Sequence, residues 1–136
     1  MKTVLFVCVH NAGRSQMAEA FFNDLAKGKA VGLSAGTTAA GAVNPVVVEA
    51  MREVGMDMTG KRPKALTPEM MEKADLIVTM GCGAEGVCPA TFVETEDWGL
   101  EDPKGKSLEM VRQIRDTIRF RVTELLGRLG VQAGNE

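Results

Sequence analysis

Apolar runs of strand length alternate with helical patterns along this chain, and no other feature constrains its fold as strongly. The run from Thr3 to Val9 is almost continuously apolar, which is typical of a strand buried on both faces of a parallel sheet. Periodicity and turn residues predict further strands at 30–34, 76–80 and 90–93, and helices at 15–27, 45–54, 68–74 and 107–129. The alternation predicts a single α/β domain of three layers, with helices on both faces of a four-stranded parallel sheet.

Polar residues mark the predicted helix starts. Ser15 is placed to cap the first helix, and Asn44-Pro45 and Thr67-Pro68 open the next two. Each of these side chains offers an oxygen that can accept from an otherwise unpaired N–H group of the first helical turn.

The last predicted helix carries one apolar stripe, because its apolar residues recur at steps of three and four. The residues of the stripe are Leu108, Val111, Ile114, Ile118, Val122, Leu125 and Leu129. Arg112, Arg115 and Arg119 fall off the stripe, so they are predicted to form a solvated face. The domain is predicted to span residues 1–129 and to end in a frayed tail at 130–136.

Composition excludes several functional classes. The chain has 136 residues, enough for one domain with a substantial core. Its net charge is −2 and no basic patch indicates a nucleic-acid partner. No apolar segment approaches the length of a membrane span or resembles a secretory signal. Three cysteines, an odd number, argue against a static disulfide framework. We therefore expect a cytoplasmic monomer whose cysteines serve catalysis, redox chemistry or metal binding.

The loop after the first strand has the pattern cysteine, five residues, arginine, serine. A loop between a parallel strand and a helix N-terminus can turn successive N–H groups inward to bind an anion. Arg14 can hold two oxygens of a tetrahedral oxyanion with its planar fork. The same donors would favour the thiolate of Cys8, which is the predicted nucleophile. The predicted substrate-binding residues are His10, Asn11, Ala12, Gly13, Arg14 and Ser15.

Within this loop, Ser15 is expected to donate a hydrogen bond to the thiolate, and Asn11 to hold the loop in shape. His10 is expected to shape the loop rather than to act as a base. The alternative is that Cys8 is a buried strand-end cysteine and Arg14 a surface residue. The preceding strand, the following helix and the added serine favour the functional interpretation.

Residues 4–19, Val-Leu-Phe-Val-Cys-Val-His-Asn-Ala-Gly-Arg-Ser-Gln-Met-Ala-Glu, resemble the opening of the low-molecular-weight tyrosine phosphatase superfamily. Within it, the resemblance is closest to the thioredoxin-coupled arsenate reductases, and it covers nearly the whole chain. It implies a four-stranded parallel sheet flanked by helices. It also implies reduction of arsenate to arsenite, as in arsenic detoxification, with thioredoxin as the electron donor.

The other two cysteines follow the third predicted strand. Cys82 comes directly after it and is therefore expected at the same sheet edge as Cys8, and Cys88 lies six positions later. The resemblance implies that Cys8 attacks arsenate, that Cys82 attacks Cys8 and releases arsenite, and that Cys88 then takes over the disulfide. The alternative is that both are packing residues. No zinc site is expected, because the chain has one histidine and lacks the usual paired spacings.

Asp102-Pro103 follows the fourth predicted strand. By resemblance, Asp102 is the general acid that protonates the leaving oxygen; by composition alone, the pair is an ordinary turn. Trp98 is expected to pack beside this loop.

No cofactor is expected, although some members of the family bind potassium behind the catalytic loop. The matching positions are Asn11, Glu19, Ser34 and Lys64. Lys64 stands where a carboxylate would be expected, and its ammonium group could occupy the cation position itself.

Three alternatives remain open at this point. The first is a tyrosine phosphatase that hydrolyses phosphate monoesters through a Cys8 phospho-enzyme, although the chain has no tyrosine, one tryptophan and five phenylalanines to form aromatic walls. The second is an arsenate reductase that uses a small thiol, in which Cys82 and Cys88 would be dispensable. The third is an oxyanion-binding or redox-sensing module without turnover.

Overall fold

Four strands pair in parallel to form one sheet in residues 1–81 and 93–131, the part of the chain that this computed structural model describes. The strands are β1 (Lys2–Cys8), β2 (Ala30–Gly36), β3 (Leu76–Thr79) and β4 (Thr95–Asp97). The helices are α1 (Arg14–Ala26), α2 (Pro45–Arg52), α3 (Pro68–Lys73) and α4 (Leu108–Arg128). The strand order is β2-β1-β3-β4, which places the strand before the cysteine loop in the middle of the sheet.

The predicted parallel sheet is confirmed, but the position of its last strand is wrong. The prediction was 90–93, whereas the edge strand lies at Thr95–Asp97 and Val93 forms a bend; residues 90–92 lie outside the described residues. The three residues of β4 are exposed or half-buried. All three are polar, so no apolar run indicates this strand. Its conformation comes from pairing with Ile77–Thr79.

The sheet is covered on both faces. On one side, a large apolar core around Phe6 includes buried side chains of α1, α2 and α4. On the other side, a smaller cluster around Leu5 and Ile77 includes side chains of α3. Trp98 is buried and its ring centroid lies 5.7 Å from that of Phe6, so it packs in the large core.

Two of the three predicted helix caps, Asn44 and Thr67, are present, and Ser107 caps α4 in the same way. Asn44, Thr67 and Ser107 each accept a hydrogen bond from an N–H group in the first turn of the following helix. The predicted cap at Ser15 is wrong, because α1 begins at Arg14 and no side chain caps it. The Ser15 hydroxyl lies instead within hydrogen-bond distance of the Cys8 sulfur.

The apolar stripe of α4 is confirmed, but one of its arginines is not solvated. Arg115 is buried, donates to the carbonyl of Ala50 at 2.8 Å and lies 3.1 Å from Glu53. Arg112 also binds Glu53, and this hydrogen bond is the main reason that the pKa of Glu53 is lowered to about 2. The prediction failed because α2 supplies a partner from a distant part of the sequence. No helix within the described residues is long and apolar enough to cross a membrane.

Candidate active site

The loop between β1 and α1 curls around the sulfur of Cys8. Cys8 ends β1 with its side chain buried. Its Sγ accepts from the backbone N–H of Asn11 at 3.2 Å and lies 2.9 Å from Oγ of Ser15. The sulfur therefore lies inside a loop of donors at a helix N-terminus, as a nucleophilic thiolate requires.

Asn11 holds this loop with its side chain as well as its backbone. It is fully buried and has a left-handed backbone, with φ 53°. Its Nδ2 donates to Oγ of Ser15 at 2.6 Å, and its Oδ1 accepts from Nε2 of Gln16 and from the N–H of Lys64. The predicted role of Asn11 in shaping the loop also involves Gln16, a buried polar residue that no sequence pattern indicated.

We expect Asn11→Ala to lower the free energy of unfolding by about 3 kcal/mol. The substitution removes three hydrogen bonds of a buried side chain and places alanine, which makes no side-chain hydrogen bond, at positive φ. Asn11→Gly is the matched control, since glycine tolerates positive φ but also lacks the amide. Urea unfolding should rank wild type above Gly, and Gly above Ala. Equal midpoints for wild type and Asn11→Ala would contradict the structural role.

Arg14 joins three parts of the site. Its side chain is 2% exposed, which excludes the alternative that it is a surface residue. Its Nη1 donates to the carbonyl of Met80 at 2.6 Å, at the end of β3, and to that of Leu100 at 2.9 Å. Its Nη2 lies 3.8 Å from Oδ2 of Asp102.

Asp102 faces the same cavity as Cys8. Its Oδ1 accepts from the N–H of Lys104 at 3.0 Å, so the residue is also part of a turn. A cavity of about 520 Å³ is lined by Cys8, Arg14 and Asp102. The structure thus brings together Cys8, Arg14 and Asp102, which were predicted to be the nucleophile, the oxyanion-binding residue and, by resemblance, the acid.

The other walls of the cavity are small or polar. Those walls are formed by His10, Ala12, Gly13, Ala40, Asn44, Pro103, Lys104 and Gly105. No phenylalanine, tyrosine or tryptophan side chain lines it among the described residues. Nδ1 of His10 lies 3.3 Å from the carbonyl of Thr38, while Asn11 and Ser15 support the sulfur without lining the cavity.

Gly36 and Asp97 also support the site, and no local sequence pattern indicates either of them. A Cβ on Gly36 would lie 2.7 Å from the carbonyl oxygen of Val9 and 2.9 Å from the N of Asn11, so β2 can approach the loop only with glycine there. Oδ1 of Asp97 accepts from the N–H of Gly81 at 2.6 Å and from the hydroxyl of Thr79.

The predicted redox cysteines Cys82 and Cys88 lie outside the described residues. The two residues before Cys82 are bound within the site: Met80 by Arg14, and Gly81 by Asp97. The end of β3 therefore reaches the same edge of the sheet as the Cys8 loop, as parallel pairing of β1 and β3 requires.

The positions matched to the potassium site lie together. Nζ of Lys64 is 3.3 Å from Oε1 of Glu19, and Ser34 donates to the same oxygen at 2.8 Å. Within the described residues, no group of three histidine, cysteine, aspartate or glutamate side chains could hold a metal ion.

Residues 3–134 match the family described as low molecular weight phosphotyrosine protein phosphatase. The chain belongs to this family. It is 41% identical over 123 residues to an arsenate reductase of Brevibacillus brevis, which is 89% of this chain and 91% of that protein. The predicted family is therefore confirmed.

Solved structures of the same fold include two kinds of enzyme. A thioredoxin-dependent arsenate reductase of Corynebacterium glutamicum has a TM-score of 0.80 and 35% identity, over 96% of this chain and 62% of that one. A YwlE arginine phosphatase mutant, with serine in place of a cysteine and that active-site serine phosphorylated, has a TM-score of 0.83 and 29% identity, over 94% of this chain and 95% of that one. The family fold is thus shared by a reductase and a phosphatase.

Proposed function

We propose that this protein reduces arsenate to arsenite through a three-cysteine relay that thioredoxin regenerates. The observation that carries the proposal is that Cys8, Arg14 and Asp102 line the same cavity, in a chain whose relatives include arsenate reductases. The relay needs free thiols, which a reducing compartment such as the cytoplasm maintains.

In the first step, the Cys8 thiolate attacks the arsenic atom of bound arsenate. A sulfur–arsenic bond forms, one arsenic–oxygen bond breaks, and Asp102 donates its proton to the leaving oxygen, which departs as water. Arg14 and the N–H groups of the loop hold the remaining oxygens. The buried sulfur, the adjacent Ser15 hydroxyl and the Asn11 N–H support this assignment.

In the second step, the Cys82 thiolate attacks the sulfur of Cys8. A disulfide forms, and the electron pair of the sulfur–arsenic bond passes to arsenic, which leaves as arsenite. Cys88 then attacks Cys82, frees Cys8 and leaves a Cys82–Cys88 disulfide. A reduced thioredoxin supplies the two electrons that restore both thiols.

A phosphatase is the second candidate, because phosphate and arsenate share shape and charge and the arginine phosphatase has the same fold. Its phospho-enzyme would form on Cys8 and be hydrolysed by water. The small and polar cavity walls argue against phosphotyrosine as the substrate. The test is wild-type turnover of arsenate with thioredoxin, thioredoxin reductase and NADPH, in parallel with hydrolysis of p-nitrophenyl phosphate. Hydrolysis without arsenate-dependent NADPH oxidation would establish the phosphatase instead.

We also propose that Lys64 makes the reaction independent of potassium, because its ammonium group already lies beside Glu19. The rate with arsenate should be the same in potassium and in tetramethylammonium salts. Lys64→Asp would restore the carboxylate of the potassium-binding pattern and should be several-fold more active with potassium. Lys61→Asp, at an exposed position of the same segment, is the control. Equal potassium activation of wild type and Lys64→Asp would refute the assignment.

A further inference from the structure

We propose that Pro103 is a positioning residue: its ring rests on Gly13 and thereby sets the distance between the Asp102 carboxyl and the Cys8 loop. This inference rests on the proposed function, since it concerns the acid of the same site. Gly13 is the last residue before α1, and Pro103 follows the acid directly.

The contact between the two residues is close. Both are buried. A Cβ on Gly13 would lie 2.5 Å from Cγ of Pro103 and 3.4 Å from its Cδ. No side chain fits between them, so the Asp102 loop approaches the Cys8 loop as closely as two backbones and one proline ring allow.

The carboxyl itself is held weakly. The Asp102 side chain is 40% exposed, and its Oδ2 lies 3.8 Å from Nη2 of Arg14, which is beyond a normal hydrogen bond. Its Oδ1 binds the N–H of Lys104 within its own loop, a contact that moves with the loop. The position of the carboxyl in the cavity that it shares with Cys8 therefore depends on the position of the loop backbone.

Pro103 provides the contact that sets the position of the loop backbone. Its backbone φ is fixed by the ring and its carbonyl accepts from the N–H of Lys106 at 3.0 Å, so the loop is stiff on the side of the contact. On the other side, the carbonyl of Leu100 is bound by Arg14. An acid must lie within hydrogen-bond reach of the leaving oxygen, and misplacement by 1 Å can cost about a hundredfold in rate.

A variant cycle separates this role from a general need for proline. Gly13→Ala should push the Pro103 ring away and lower kcat at least about tenfold, with a smaller change in the KM for arsenate. Pro103→Ala should lose less. In Gly13→Ala/Pro103→Ala the Cγ is gone, and the next neighbour outside Pro103 is Cγ2 of Val47 at 3.5 Å, an ordinary contact. The double variant should therefore be more active than Gly13→Ala. Pro68→Ala, an exposed proline at the start of α3, is the control.

The cycle is also run with two aryl phosphates, because loss of an acid slows the poor leaving group phenol more than p-nitrophenol. Gly13→Ala and Pro103→Ala should share this selective loss with Asp102→Asn. If Gly13→Ala does not fold, Pro103→Ala against Asp102→Asn still tests the leaving-group pattern. Losses that multiply in the double variant, or equal losses with both leaving groups, would overturn the proposal.

The two proposals fail in different ways. A wild type that hydrolyses aryl phosphates without reducing arsenate would refute the reductase and leave the variant cycle readable. A wild type with neither reaction overturns both.

Discussion

Cys8→Ser is expected to abolish arsenate turnover, with a loss of at least about a thousandfold in kcat. The serine oxygen would still lie near the N–H of Asn11 and the hydroxyl of Ser15, so the loop should keep its shape and bind the anion. A serine cannot ionise as a thiol does, and it cannot enter a disulfide. The measurement is arsenate-dependent NADPH oxidation with thioredoxin and thioredoxin reductase.

The two other cysteines provide the sharpest controls, because the relay should stop at a different point in each variant. Cys82→Ser should accumulate the arsenic adduct on Cys8 and release no arsenite. Cys88→Ser should release one arsenite per enzyme and stop as a Cys8–Cys82 disulfide. Mass spectrometry after trapping with iodoacetamide distinguishes these states.

Other outcomes would identify a different enzyme. If Cys82→Ser and Cys88→Ser keep full turnover with a small thiol and only Cys8→Ser is inactive, the protein is a small-thiol reductase. If only hydrolysis of aryl phosphates is seen and it requires Cys8 alone, the protein is a phosphatase. Binding of arsenate without any reaction would leave an oxyanion-binding module.

The fold was predictable where burial leaves a periodic pattern. The apolar run of β1 and the stripe of α4 are such patterns, because one lies in the middle of the sheet and the other faces the core. The edge strand β4 has no such pattern, and its place is set by pairing with β3. The prediction for Arg115 failed for a related reason, since its charge is balanced by Glu53, which directly follows α2 and is 62 positions away.

In the site, the local sequence predicted which residues come together but not how they are held. Cys8 and Arg14 share one strand–loop–helix segment, so their proximity follows from the motif. The tether of Arg14 to the carbonyl of Leu100 spans 86 positions and involves a backbone atom, which no side-chain pattern reveals. Ser15 was misread as a cap because the same hydroxyl chemistry suits a cap and a thiolate donor.

Arg14→Lys tests this network and should lower kcat/KM about a hundredfold or more, the usual cost of losing a donor aimed at a developing oxyanion. Lysine keeps the charge but not the planar fork. A single ammonium group cannot bind Met80 and Leu100 and at the same time hold two oxygens of the substrate.

The substitution should also separate binding from stability. Lysine is shorter than arginine, so its ammonium group should bind the carbonyls of Met80 and Leu100 less well than Nη1 does, and the free energy of unfolding should fall by about 1–3 kcal/mol. Arg121→Lys, at an exposed position of α4, should change neither quantity. Steady-state kinetics and urea unfolding of both variants measure kcat/KM and the free energy of unfolding separately. If Arg14→Lys loses stability but retains wild-type kcat/KM, Arg14 ties the end of β3 to the Asp102 loop and does not bind the oxyanion. If it loses activity alone, its contacts with the two carbonyls contribute nothing to the fold.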